Sequence, residues 1–126
     1  MNFKIAFIGD QALGEDAVAV FRLFKSETAN AVVHAGDFEY DDNPAAWDTL
    51  INNNFGEDLP YFACTGNHDK DRYYGEGCYP EFMPARMNRL GITWDGDPGV
   101  RSSLKYNGIF FVLTAPGTLD ESDSRG

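Results

Sequence analysis

The chain has 126 residues, 43% of them apolar and 14% aromatic. That suits one folded domain with a real core and excludes a disordered segment. The 20 acidic residues against 10 basic ones leave a formal net charge of −10, which excludes a plain basic footprint for nucleic acid or anionic lipid but leaves phosphate chemistry open where cations stand between carboxylates and ligand.

Residues 3–8, FKIAFI, form a short apolar run closed by Gly9-Asp10 and predict a buried strand. The same N-terminus is too short for a secretory signal core and lacks a small-residue cleavage site. No later apolar run is long enough to span a bilayer, so the expectation is no membrane partner, with the compartment leaning towards the cytoplasm. Residues 15–28 follow with Ala17, Val18, Val20, Phe21 and Phe24 on one helical face, and with Glu15 and Asp16 in the first turn, where a helix favours negative charge. Residues 31–35, AVVHA, predict a second strand, again closed by Gly-Asp; His34 within it reads as a packed core histidine. Pro44 opens a second helix, with Ala45, Trp47, Leu50 and Ile51 inward and a stop near Gly56.

Residues 60–64, PYFAC, predict a third strand, and Thr65-Gly66-Asn67-His68-Asp69 is the loop after it. Residues 70–80 read as loop, 81–90 as a short helix and 95–99, DGDPG, as a turn. Asn107-Gly108 between the strand-like runs 101–106 and 109–114 is a strong hairpin signal. The polar stretch from Thr118 reads as an open end, and Cys64 and Cys78 as reduced thiols, with one disulfide as the alternative in an oxidising compartment. The class is therefore α/β: a βαβαβ parallel sheet followed by a β-hairpin.

Asp10, Asp37 and Asn67 are separated by roughly one βαβ unit each. All three stand just past the carboxyl ends of their strands, the edge where open α/β sheets bind ligands. Two carboxylates and an amide oxygen are hard donors suited to divalent or trivalent cations. The preceding Gly9, Gly36 and Gly66 allow tight turns and close backbone approach. Asp37 is placed to bridge two ions, and such a pair clamps the attacking and leaving oxygens of an in-line displacement. His68 could then donate a proton or hydrogen bond to the phosphoryl group or the leaving oxygen, with Asp69 orienting its ring.

Gly9-Asp10, Gly36-Asp37-Phe38-Glu39-Tyr40 and Gly66-Asn67-His68-Asp69 together resemble the first three signature blocks of the calcineurin-like metallophosphoesterases. The resemblance runs from about residue 3 to residue 70, with a motif-free continuation to 115. Most of that family has a histidine two residues after the first aspartate, where this chain has Ala12. The second block carries Tyr40 instead, and so resembles the purple acid phosphatases, in which a tyrosine ligates a first, ferric, ion. By that resemblance Asp10 and Tyr40 bind one ion, Asp37 bridges, Asn67 binds the second, and His68 contacts the substrate. The implied cofactors are two divalent or mixed-valence ions of Fe, Mn or Zn; the implied substrate is a phosphate mono- or diester, nucleic acid entering only as substrate. For Tyr40 the other reading is a partly buried aromatic with a satisfied hydroxyl.

The family completes its site with later histidines, whereas His34 and His68 are the two that this sequence has. The expectation is one metallophosphoesterase-like domain over 1–126, the N-terminal half of a sandwich and incomplete at its C-terminus. The alternative from another class is a non-catalytic metal-binding or interaction domain that keeps the fold; a third is an α/β binding module without metal.

Overall fold

The computed structural model describes residues 3–38, 41, 43–66, 69 and 77–115. In chain order these form β1 (Ile5–Ile8), α1 (Glu15–Ser26), β2 (Ala31–Ala35), α2 (Pro44–Phe55), β3 (Tyr61–Cys64), α3 (Tyr79–Arg89), β4 (Trp94–Asp97), β5 (Arg101–Tyr106) and β6 (Ile109–Thr114). Strands β1, β2 and β3 pair in that order and in parallel; β4, β5 and β6 form a second, antiparallel sheet. The α/β class and the parallel βαβαβ order expected above are therefore present.

Alternation along the parallel strands divides the core in two. Ala6, Val32, Tyr61 and Ala63 face the helices and pack with Phe21 of α1, Trp47 and Ile51 of α2, and Tyr79 and Met83 of α3. Ile5, Ala31, Val33 and Phe62 face the other way, onto Leu104, Phe111 and Leu113 of the antiparallel sheet. Each fully buried side chain of this size contributes about 1.5–3 kcal/mol. The layers are thus helices, parallel sheet, antiparallel sheet.

Local signals explain the helices. The Asn43 side chain accepts the Ala46 N–H (3.1 Å) at the start of α2, Pro44 fills its first turn, and Gly56 ends it at φ 78°. Helix α1 starts on Glu15 and Asp16 and carries Lys25 in its last turn.

Three features differ from the sequence expectation. Helix α3 begins at Tyr79, inside the segment read as loop, and keeps Pro84 in its interior. Tyr79, Met83 and Met87, buried at every fourth position, anchor it against the lost hydrogen bond. The DGDPG segment is not only a turn, because Trp94–Asp97 forms strand β4 on β5. The hairpin is therefore two strands of a three-stranded sheet. Strand β1 is only partly buried: Phe7 is 71% exposed, since the antiparallel sheet packs below Ile5 and Phe3 and does not extend beneath it. No helix among the described residues is long and apolar enough to cross a membrane.

Candidate metal centre

Asp10 and Asp37 follow β1 and β2 directly, so the parallel sheet delivers both to one edge. Both residues are in the left-handed region, at φ 50° and 53°. Non-glycine residues are uncommon there; aspartate is among the few that tolerate it, and such strain gathers at functional turns. The two turns are stitched by backbone: the Asp10 N–H donates to the Gly36 carbonyl (3.2 Å) and the Gln11 N–H to the Asp37 carbonyl (2.9 Å).

The third loop meets the second closely. A Cβ on Gly36, itself at φ 87°, would stand 2.7 Å from the Gly66 Cα; a Cβ on Gly66 would collide with the Asp37 carboxylate and stand 2.5 Å from its backbone nitrogen. Glycine is required at both positions for this approach. Gly9 is different, because a Cβ there meets nothing closer than the Ala35 carbonyl at 3.7 Å.

Asp69 lies at the centre of the junction and is fully buried. Its carboxylate accepts the N–H groups of Asp37, Phe38 and Gly66, each at 2.8 Å. One side chain thereby holds the second and third loops together. Burial raises its carboxyl from 3.8 to about 6, the Asp37 charge adds to the rise, and the three backbone donors pull the other way. The expected role of Asp69, orienting His68, concerns a partner outside the described residues; what is visible is a brace between loops.

Tyr40, Asn67 and His68 all lie outside the described residues. Among those described, no three His, Cys, Asp or Glu side chains gather closely enough to hold an ion. The structure therefore brings Asp10 and Asp37 to one edge and adds the Asp69 brace. Beside Asp10 a groove of about 290 Å³ opens between Ala12 and the Asp16 and Val20 positions of α1. Ala12 supplies only a methyl group there.

Beneath the turns His34, Phe38, Trp47, Tyr61 and Tyr79 form an aromatic cluster: Phe38 stacks on Trp47 at 4.8 Å, and His34 meets Phe38 edge-on at 4.9 Å. Gln11 is buried with them. Sequence reasoning singled out neither Gln11 nor Tyr61, and only the position of Gln11 directly after Asp10 hints at it. Cys64 and Cys78 are free thiols, as expected, and burial pushes the Cys64 thiol up.

Comparison with known proteins matches residues 3–120 to the sequence model of the calcineurin-like phosphoesterases. The chain is similar to acid phosphatase type 7 of Homo sapiens, with 30% identity over 119 residues, and to acid phosphatase type 7 of Mus musculus, with 29%. Each alignment covers 86% of this chain and 26% of the relative, so the chain spans about a quarter of the length of these curated relatives.

Proposed function

The chain belongs to the calcineurin-like phosphoesterase family, and from that premise we propose that it contributes ligands and a proton donor to metal-assisted hydrolysis of phosphate mono- or diesters. The observation that carries this reading is the pair of carboxylates, Asp10 and Asp37, set in left-handed turns on one sheet edge and tied to each other through backbone.

The residues present fit such a centre in chemistry. Asp10 and Asp37 are hard oxygen donors, and Gly66 leaves open the space that the Asp37 carboxylate occupies. Asp10 and Tyr40 would hold a first ion, Asp37 would be shared, and Asn67 would hold a second; Fe, Mn and Zn all suit these donors. Bound ions supply a water acidic enough to attack near neutral pH and positive charge opposite the phosphoryl oxygens.

Each side chain then has a defined task. Asp37 would offer its carboxylate to the ions from a turn that Asp69 braces at Asp37 N–H and Phe38 N–H. His68 donates the proton that the leaving oxygen takes as its bond to phosphorus breaks and the oxygen of water joins the phosphorus. Tyr40 would supply a phenolate to the first ion; that both relatives reported above are acid phosphatases supports this purple-acid-like reading of the second block.

Isothermal titration with Mn²⁺ or Zn²⁺, set beside hydrolysis of p-nitrophenyl phosphate and its bis ester, tests the proposal. Asp37→Ala is expected to remove metal binding and with it any turnover, because it is the one donor both ions would share. Unchanged stoichiometry and affinity in that variant would overturn the reading.

A further inference from the structure

The loop that follows β3 is held at two places, and the proposed chemistry accounts for only one of them, the Asp69 carboxylate. The other is Thr65, the residue before Gly66, which is 5% exposed. Its backbone N–H and its hydroxyl both donate to the Gly99 carbonyl, at 2.9 and 2.8 Å. Gly99 also pairs in parallel with Cys64, the last residue of β3. On its other side β3 pairs with β2, where Ala35 lies across from Cys64. The end of β3 is therefore flanked by a strand on one side and by a single turn on the other.

That turn has little freedom of its own. Over Asp97–Val100 the Val100 N–H donates to the Asp97 carbonyl at 3.1 Å. Pro98 takes the first central position and Gly99 the second, at φ 87°, the pattern of a type II turn. Proline fixes one dihedral, and a residue with a side chain is strained at the other. Strands β4 and β5 flank the turn, and the Ala115 N–H, just past β6, donates to the Val100 carbonyl at 2.8 Å. The Thr65 N–H alone gives the Gly99 carbonyl a partner; the hydroxyl is a second link to the same atom.

We propose that Thr65 is a positioning residue, whose hydroxyl hooks the start of the third loop to the antiparallel sheet and so presents Asn67 to the metal centre. Asn67 and His68 come directly after Gly66. Thr65 is fastened to Gly99 ahead of them, and behind them Asp69 is fastened to the N–H groups of Asp37, Phe38 and Gly66. The two anchors belong to different sheets, so the packing of the sheets, and not the loop's own preference, sets where Asn67 stands relative to Asp37. A donor group held in this way loses little freedom when it binds. The hook itself is a matter of measured distances; its purpose rests on the metal reading above.

Isothermal titration with Mn²⁺ of the parent, Thr65→Val, Thr65→Ser, Asn67→Ala and the double variant Thr65→Val/Asn67→Ala tests the proposal. Thr65→Val keeps the branched shape and the backbone hydrogen bond and removes only the hydroxyl. It is expected to weaken Mn²⁺ binding by about 10–100-fold, the usual effect of losing an outer-shell partner, with circular dichroism unchanged. Thr65→Ser keeps the hydroxyl and is expected to bind like the parent. Because Thr65 acts through Asn67, the double variant should bind no worse than Asn67→Ala alone. A further loss in the double variant overturns the proposal, and so does parent-like binding by Thr65→Val. Should Thr65→Val not fold, Gly99→Ala disturbs the same bond from the turn, where alanine is strained at φ 87°, and is read in the same way. Asp37→Ala, measured alongside, keeps the two readings apart. If it loses Mn²⁺ while Thr65→Val binds like the parent, the hook only holds the fold and the metal reading stands. If Asp37→Ala binds Mn²⁺ like the parent, the metal reading fails and the positioning role falls with it.

Discussion

His34 and Asp69, both fully buried beneath the strand ends, pull the pH dependence of folding in opposite directions. Burial lowers His34 from 6.5 to about 4. Its unfolded form therefore binds the extra proton first, and stability present above pH 6.5 is lost as the pH falls through 4. Asp69 is raised from 3.8 to about 6; its contribution is present below pH 3.8 and is lost as the pH rises through 6. Each shift of two units or so corresponds to up to ~3 kcal/mol, so between pH 4 and 6.5 the two largely offset each other. The expected outcome is a shallow pH dependence of urea unfolding in the parent. In His34→Gln the Asp69 contribution stands alone, and stability should rise by ~1–3 kcal/mol on going from pH 7 to pH 4.5. A variant that loses stability over the same interval would show that Asp69 is not held in its raised state.

At the scale of elements, the joint between α2 and α3 depends on one buried cation. Arg86 is 3% exposed. Its Nη1 donates to the Gly56 and Leu59 carbonyls (3.1 and 3.4 Å), its Nη2 donates to Asn52 Oδ1, and Asp48 stands 3.7 Å away. The Gly56 carbonyl at the C-cap of α2 and the Leu59 carbonyl of the loop after it are thus satisfied by a side chain from α3, and the guanidinium charge meets the negative end of the helix. Truncating Arg86 strands these acceptors in a dry place. Arg86→Ala is expected to cost about 3–5 kcal/mol in urea or thermal unfolding. Arg86→Lys should recover only part of it, because one ammonium cannot reproduce the fork. A loss below about 1 kcal/mol, the range of surface pairs, would mean that the joint is held by Met83 and Met87 packing instead.

For the whole molecule, the outward face of the antiparallel sheet is the exposed apolar surface that matters most. Phe110 and Val112 are 67% and 62% exposed, across from Lys105 and Ser103 on β5. Strand β6 is also an edge strand, and an apolar edge is a liability for association. The net charge of −10 opposes such contacts, and salt screens that repulsion. Light scattering should therefore show self-association that grows with ionic strength. Phe110→Glu places a carboxylate opposite Lys105 and should suppress association while changing stability by no more than about 0.5 kcal/mol. Equal association in parent and variant would move the contact surface elsewhere, with exposed Phe7 next to test.

Much of this protein was legible in the sequence where the signal is local. The order of β1, α1, β2, α2 and β3 follows from apolar runs and helical periodicity, and Pro44 and Gly56 bound α2 by their own conformational limits. That Asp10 and Asp37 share an edge follows from the rule that parallel strands end on one side. Tertiary structure alone decided the rest. Trp94–Asp97 is a strand because β5 offers it a ladder, although Asp and Gly are poor strand formers. Helix α3 starts early and keeps Pro84 because Tyr79, Met83 and Met87 find a core to enter. Asp69 became a brace, and Gln11, His34 and Tyr61 neighbours, through hydrogen bonds between residues 27 to 50 positions apart. Propensity and pattern describe what a residue prefers beside its chain neighbours; a buried polar atom answers to whichever partner the fold brings within reach, and that partner is set only when the layers close.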